Sequence, residues 1–474
     1  MRKLATGLLG MVALLAACRG GGNAGAGGGG GNAGGNGGAG GSTGGSGGAG
    51  ASSAVPIVDL ALDGQCPEGS KPPDNGVSPG NDLHKVTLSD YPDAVCNDGS
   101  PALMYVRRAA SQAASTEWVI HLQAGGSCQS WEVCRDRWCS FDTNYNAAKM
   151  SSKFAPEVAN GGGLLARGGG NAFGEANQVY VYYCSSDQWS GQRDDHVFDD
   201  PAGEGPSFRV HFRGFSIIEA VNDALQKGAK SDDGVETMPK LTDATRILFA
   251  GSSAGSSGQT HALDWWAQQY PNAETYGFFD ASTDPYPEDI PDAALGATLA
   301  SFLPERYQET FVETWNSHLD ESCLAAHPGE EAYICSLGSF VRLNHITTPF
   351  FVRHDLRDPV SYKALGEAGL AENDFAEALE LTMARYKTLL SDALEKDQMT
   401  RAPGIHVSNC AQHIVALNPL WFGIGANPAT VDLPNGMPIT VHDALAAWIG
   451  GADVKAIDTH PSTASKCAMT TDEQ

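Results

Sequence analysis

Apolar residues along this chain gather in short β-branched and aromatic runs that alternate with stretches of helical periodicity. Runs at Ala102–Val106, Glu117–Gln123, Gln178–Cys184, Arg246–Phe249, Tyr276–Asp280, Ile346–His354 and Gly404–Val407 predict strands. Between them Phe215, Ile217, Ile218, Val221 and Leu225 fall on one face of a helix. The segments carrying His261, Trp265 and Trp266, then Asn373–Glu395 and Asp443–Trp448, read as further helices. Strands alternating with helices predict an α/β fold with a mainly parallel sheet covered on both faces. Two regions break the rhythm. Val55–Asn97, rich in Pro, Gly and Asp, reads as a loop-rich entry; Pro291–Gly338 reads as a helical, irregular insertion.

The most informative junction follows the Arg246–Phe249 run. Gly251-Ser252-Ser253-Ala254-Gly255 leads directly into a helical segment, giving strand, sharp turn and helix. This is the G-x-S-x-G pattern of a nucleophile elbow, in which small neighbours let the serine hydroxyl rise above the sheet edge. Ser253 is then the candidate nucleophile, and the Ala254 amide half of an oxyanion hole. A glycine-bearing turn, Ala124-Gly125-Gly126-Ser127-Cys128, follows the Glu117–Gln123 strand. The corresponding loop of α/β-hydrolases supplies the other oxyanion donor, a role assigned here to the amides around Gly126 and Ser127. In such folds an insertion often caps the site, so Pro291–Gly338 is expected to serve substrate recognition.

A serine hydroxyl needs an imidazole to take its proton and a carboxylate to orient that imidazole. In these folds the order is serine, acid, histidine along the chain. Asp355 and Asp358 both follow the Ile346–His354 strand, and His406 and His413 lie in or just after the last strand. Spacing does not choose within either pair. His413 is preferred because it lies past the strand, in a loop that Cys410 could hold, whereas His406 lies within the strand.

Composition adds where the protein works. Arg2 and Lys3 precede an apolar run from Leu4 to Ala17, too short to span a bilayer and of the form of an export signal. Its end, Leu15-Ala16-Ala17-Cys18, has the form of a lipobox with Cys18 as the lipidated residue; the alternative is an ordinary cleavage site beside a chance cysteine. Residues 19–53 are nearly all Gly, Ala, Asn, Ser and Thr and form a flexible tether with a reach of roughly 30 Å. Residues 54–474 are expected to form one domain. A formal net charge of −26 makes nucleic acid an unsuitable partner. A membrane is reached only through the anchor, and a monomer is expected. Besides Cys18 there are ten cysteines, Cys66, Cys96, Cys128, Cys134, Cys139, Cys184, Cys323, Cys335, Cys410 and Cys467. An even set in an exported chain predicts disulfides, and no C-x-x-C pair or Cys/His cluster suggests a metal. Cys323 with Cys335, and Cys128 with Cys134 or Cys139, are local candidates, and Cys66 with Cys96 is a candidate staple for the entry segment.

Taken together these blocks resemble the pectin acetylesterases and their Notum carboxylesterase relatives. The family's G-G-G-W-C loop, followed by a second cysteine and an arginine, is similar to Ala124–Cys128 with Cys134-Arg135. Val181-Tyr182-Tyr183-Cys184 with Ser190-Gly191, Phe212-Arg213-Gly214 through Ala220, and Gly251–Ser256 resemble three further blocks. The family acid stands nine residues after the proline of a T-P-x-F strand, which from Pro349 implies Asp358. Its S-C-F-A-H base block is similar to Ser408–His413 with one extra residue, and implies His413. Ser127 replaces the family tryptophan and Ser256 the second elbow glycine, departures that leave the acyl group open.

The resemblance implies a serine carboxylesterase without metal or cofactor, and the amino-terminal segment implies that it is exported and either anchored or secreted. It would remove acyl groups, acetate foremost, from an acylated polysaccharide. Two other classes share these residues: a surface carbohydrate-binding protein with a decayed site, and a serine peptidase or amidase.

Overall fold

The computed structural model describes residues 57–458 except 69, 71–82, 143–144, 169, 204, 396–399, 425–429 and 433–436. The segments read as an export signal and a tether, with Cys18 and Cys467, lie outside the described residues. The strands run β1 (Ile57–Asp59), β2 (Leu83–Thr87), β3 (Leu103–Arg107), β4 (Glu117–Leu122) and β5 (Val158–Ala159). Next come β6 (Asn177–Val181), β7 (Arg193–Phe198), β8 (Ser207–Phe212), β9 (Arg246–Ser252) and β10 (Glu274–Asp280). The series closes with β11 (Phe350–Asp355), β12 (Gly404–Ser408), β13 (Val431–Asp432), β14 (Pro438–Ile439) and β15 (Lys455–Ile457).

Ten of these make one twisted sheet in the order β15-β12-β11-β10-β9-β4-β6-β3-β2-β5. Every pairing from β15 to β6 is parallel, and the pairings among β6, β3, β2 and β5 are antiparallel. The mainly parallel α/β sheet expected from the sequence is therefore present, with an antiparallel flank. Part of that flank, β2, lies in the segment read as loop. Its Leu83 and Val86 face the interior, but two apolar residues among His84, Lys85 and Thr87 are too faint a pattern to stand out. A smaller sheet, β1-β8-β7, lies apart from the main one.

The central strands are apolar on both faces because helices cover both sides. The helix Ala254–Gln269 packs Trp266 flat against Phe249 of β9, ring centroids 4.6 Å apart. Polar exceptions inside this core, His121 on β4 and Arg353, His354 and Asp355 on β11, are all buried. Register then aligns the functional strand ends: Gly251 pairs with Leu122, and Ser252 with Asp280. The chain leaves β4, β9, β10, β11 and β12 on one edge of the sheet, where open α/β sheets hold their ligands.

Disulfides join Cys66 to Cys139, Cys96 to Cys184, Cys128 to Cys134 and Cys323 to Cys335, and Cys410 is also disulfide-bonded. The local pairs Cys323–Cys335 and Cys128–Cys134 match expectation. The staple expected between Cys66 and Cys96 does not exist. Cys66 caps a short helix whose Gln65 carbonyl accepts from Arg135 Nε at 2.7 Å, which sets it beside the end of the helix Trp131–Cys139. Cys96 precedes a tight turn whose Asn97 amide donates to the Cys184 carbonyl at 2.9 Å. Tertiary neighbours, rather than nearness in sequence, chose these partners. Such bonds point to an oxidising compartment outside the cytoplasm.

Candidate active site

β9 ends in a backbone conformation that serine rarely adopts. Ser253 has φ 50° and ψ −118°, in the left-handed region where a side chain costs energy. Its amide donates to the Asp280 carbonyl at 2.8 Å, and the helix starts at Ala254. The glycines on either side are required by space. A Cβ on Gly251 would come 2.3 Å from the Gly255 carbonyl oxygen, and one on Gly255 would come 2.1 Å from that of Leu122. Ser256, which departs from the family pattern, faces Ser282 with hydroxyls 2.6 Å apart.

Three side chains distant in sequence meet at this elbow. His413 Nε2 lies 2.8 Å from Ser253 Oγ, and His413 Nδ1 lies 2.8 Å from Asp358 Oδ2. Asp358 is fully buried, and its other oxygen accepts from the amides of Val360 and Ser361 at 2.9 and 3.2 Å, at the start of the helix Pro359–Glu367. Burial alone would raise its pKa; the charge and hydrogen bond of His413, with His354 3.4 Å away, instead bring it down to about 2. Burial disfavours the His413 imidazolium, but the Asp358 carboxylate outweighs it, and the pKa is raised. His354 is kept neutral by burial, its pKa down to about 3.

The other candidates of each pair are occupied elsewhere. Asp355 takes Arg353 Nη2 at 2.7 Å, the Ser408 hydroxyl and the Gln412 amide at 2.9 Å. His406 points Nε2 at the Ile439 carbonyl, 3.2 Å away, within the core.

Beneath the three residues lies a charge network that pattern reading did not anticipate. Arg353 bridges Asp280 at 3.2 Å and Asp355 at 2.7 Å, all three fully buried. Asp280 also accepts from Ser252 Oγ at 2.9 Å and from the amides of Val415 and Ala416 at 3.0 and 2.9 Å. Ser252 in turn contacts His121 Nε2 at 3.0 Å. The network ties the loop of His413 to the strand before Ser253. A signal for it existed: charged residues inside otherwise apolar strands are costly unless paired.

Gly126, Ser253, Ala254 and His413 line one cavity of about 90 Å³, together with polar groups including Ser282, Asp284, Arg306 and Ser339. Ser127 is buried behind Gly126, its carbonyl held by Tyr145 at 2.8 Å. Arg306 and Ser336, from the helix Ala293–Arg306 and the turn Gly329–Ser336, bring the Pro291–Gly338 insertion into the cavity wall. Among the described residues no cluster of His, Cys, Asp or Glu could hold a metal, and no helix is long and apolar enough to cross a membrane.

The sheet order and the strand-elbow-helix junction define an α/β-hydrolase-like fold. The chain belongs to the pectinacetylesterase family, whose family model matches residues 79–468, and it is thereby a carboxylester hydrolase. It is 26% identical over 382 residues to the human palmitoleoyl-protein carboxylesterase NOTUM, covering 77% of this chain and 69% of the human protein. It is likewise 26% identical over 377 residues to the NOTUM of Drosophila melanogaster, covering 78% of this chain but 49% of that protein. A solved structure of the Wnt deacylase Notum from Drosophila superposes with a TM-score of 0.59 at 22% identity, over 82% of this chain and 100% of that one.

Proposed function

We propose that the protein is an exported serine carboxylesterase that removes short acyl groups, acetyl foremost, from an O-acylated polysaccharide. The observation that carries this reading is His413, whose two ring nitrogens lie 2.8 Å from Ser253 Oγ and 2.8 Å from Asp358 Oδ2. Asp358 holds the tautomer with hydrogen on Nδ1, which leaves Nε2 to accept the serine proton. As Oγ attacks the ester carbonyl, the proton passes to His413, and the oxyanion is met by the amides of Ala254 and of Gly126 and Ser127. Collapse breaks the bond to the alcohol oxygen, which takes the proton from His413. Water, deprotonated by His413, then attacks the acyl-enzyme and releases the acid and the free serine.

The cavity favours a small acyl group. At about 90 Å³ it is smaller than the roughly 150 Å³ that admits benzene, and its wall carries hydroxyls and charges. A palmitoleoyl chain, the acyl group in the names of the NOTUM relatives, calls for a larger apolar pouch. The lipobox form of Leu15–Cys18 and the tether of residues 19–53 support a membrane-anchored catalytic domain over residues 54–474, acting at the cell envelope.

The test compares 4-nitrophenyl acetate, 4-nitrophenyl decanoate and acetylated xylan with wild type and Ser253→Ala. Acetate release from the first and third, lost by at least about 10⁴-fold in Ser253→Ala, is the expected result. Wild-type rates retained by Ser253→Ala overturn the mechanism, and preference for the decanoate overturns the acyl assignment.

A further inference from the structure

The loop expected to bind the oxyanion is held from behind by two phenols. Tyr183 Oη donates to the Gly126 carbonyl at 2.7 Å, and Tyr145 Oη donates to the Ser127 carbonyl at 2.8 Å. The Gly126 carbonyl and the Ser127 amide belong to one planar trans peptide, so they point in opposite directions. A hydroxyl that pins the carbonyl therefore aims the N–H. On the other side of Ser127, the Cys128 amide donates to the Ser186 carbonyl at 2.9 Å, so both peptide planes flanking Ser127 are fixed.

Tyr183 is itself supplied with a donor. The Gln188 amide donates to Tyr183 Oη at 2.7 Å, giving a chain of hydrogen bonds from Gln188 through the phenol to the Gly126–Ser127 peptide. Each bond in such a chain polarises the next, so the terminal N–H becomes a stronger donor. The segment that presents the Gln188 amide is strained for this purpose: Ser186, Gln188 and Trp189 all have positive φ, at 51°, 55° and 64°. Asp187 holds the turn by accepting from the Trp189 amide at 3.0 Å and the Gly214 amide at 2.7 Å. Arg137, fully buried, places its guanidinium 4.3 Å from the Tyr145 ring centroid and 6.0 Å from that of Tyr183. A buried cation against both rings makes their hydroxyls better donors and adds positive potential behind the loop.

We propose that Tyr183 is a positioning residue of the oxyanion hole, aiming the Ser127 N–H through the Gly126 carbonyl and not touching the substrate, while Tyr145 steadies Ser127 from its other side through the Ser127–Cys128 peptide. The proposal rests on the serine-esterase reading above. Losing a direct oxyanion donor costs about 10²–10³ in kcat, so losing the group that aims one should cost less, roughly tenfold to a hundredfold.

The experiment measures kcat, KM and inhibition by a small alkylboronic acid, which forms a tetrahedral adduct on the serine, in Tyr183→Phe, Tyr145→Phe and Tyr105→Phe. Tyr105 is the control: its hydroxyl donates to the Pro156 carbonyl at 2.7 Å, away from the loop. Expected for Tyr183→Phe is a fall in kcat of roughly tenfold to a hundredfold, KM within about twofold, and boronate affinity weakened by a similar factor. A Tyr183→Phe protein that keeps the kcat and boronate affinity of Tyr105→Phe overturns the proposal. If Tyr183→Phe does not accumulate folded, Tyr145→Phe is read by the same criteria. Failure here leaves wild-type boronate inhibition and the Ser253→Ala loss intact, whereas failure of the esterase reading removes both.

Discussion

Arg353 Nη1 donates to the backbone carbonyl of His413 at 2.7 Å, while the same guanidinium neutralises Asp280 and Asp355. One buried cation thus sets the position of the loop that brings the imidazole to Ser253. Desolvating these groups is costly, and only the completeness of the pairing offsets it.

Arg353→Met would leave two buried carboxylates without their counter-charge. The expected destabilisation is about 3–5 kcal/mol, read as a shift in urea midpoint. A midpoint unchanged from wild type would show that water, not Arg353, compensates Asp280 and Asp355.

Two neighbouring carboxylates should separate cleanly by kinetics. Asp358→Asn removes the group that holds the His413 tautomer, and kcat is expected to fall by about 10⁴. Asp355→Asn loses only support from beneath and should reach nothing like that factor. Equal effects on kcat would mean that Asp355 had been wrongly excluded as the partner of the imidazole.

The pH profile follows from the raised pKa of His413. In the proposed mechanism His413 must be neutral to accept the serine proton, so activity is expected to be lost as pH falls through that pKa, which stands above the ordinary value of about 6.5. The acid limb of kcat/KM is therefore expected above pH 6.5. A limb centred below that value would contradict the Asp358 contact. Asp358 acts on stability instead of rate: its lowered pKa stabilises the fold above about pH 4, and that contribution fades toward pH 2.

Gly255→Ala places a methyl 2.1 Å from the Leu122 carbonyl oxygen, against backbone that cannot swing aside. Destabilisation of about 1–3 kcal/mol is expected, with activity falling as the elbow shifts. A thermal melt matching wild type would show that β4 and the elbow helix can move apart.

Much of this was legible in the chain. The alternation of apolar runs with helical periodicity gave the strands around β9, and the elbow was visible because its glycines are demanded locally by backbone contact. β6 was overrun by three residues, because Tyr182, Tyr183 and Cys184 look like strand yet pass into the turn with positive φ. β2 was too short and polar to register. Arg353 and Asp280 were readable only as anomalies, charges within apolar runs whose partners come from other strands.

By itself, the sequence determined what is local: the elbow, the element types, the family blocks and the residue kinds able to do ester chemistry. Only the tertiary structure brings His413 within 2.8 Å of both Ser253 Oγ and Asp358 Oδ2 while Asp355 and His406 are engaged elsewhere, and only it pairs Cys66 with Cys139 rather than Cys96. The reason is physical. Local backbone preferences act between near neighbours in the chain, whereas a proton transfer, an ion pair or a disulfide depends on distances of a few ångströms between residues that only the sheet order brings together.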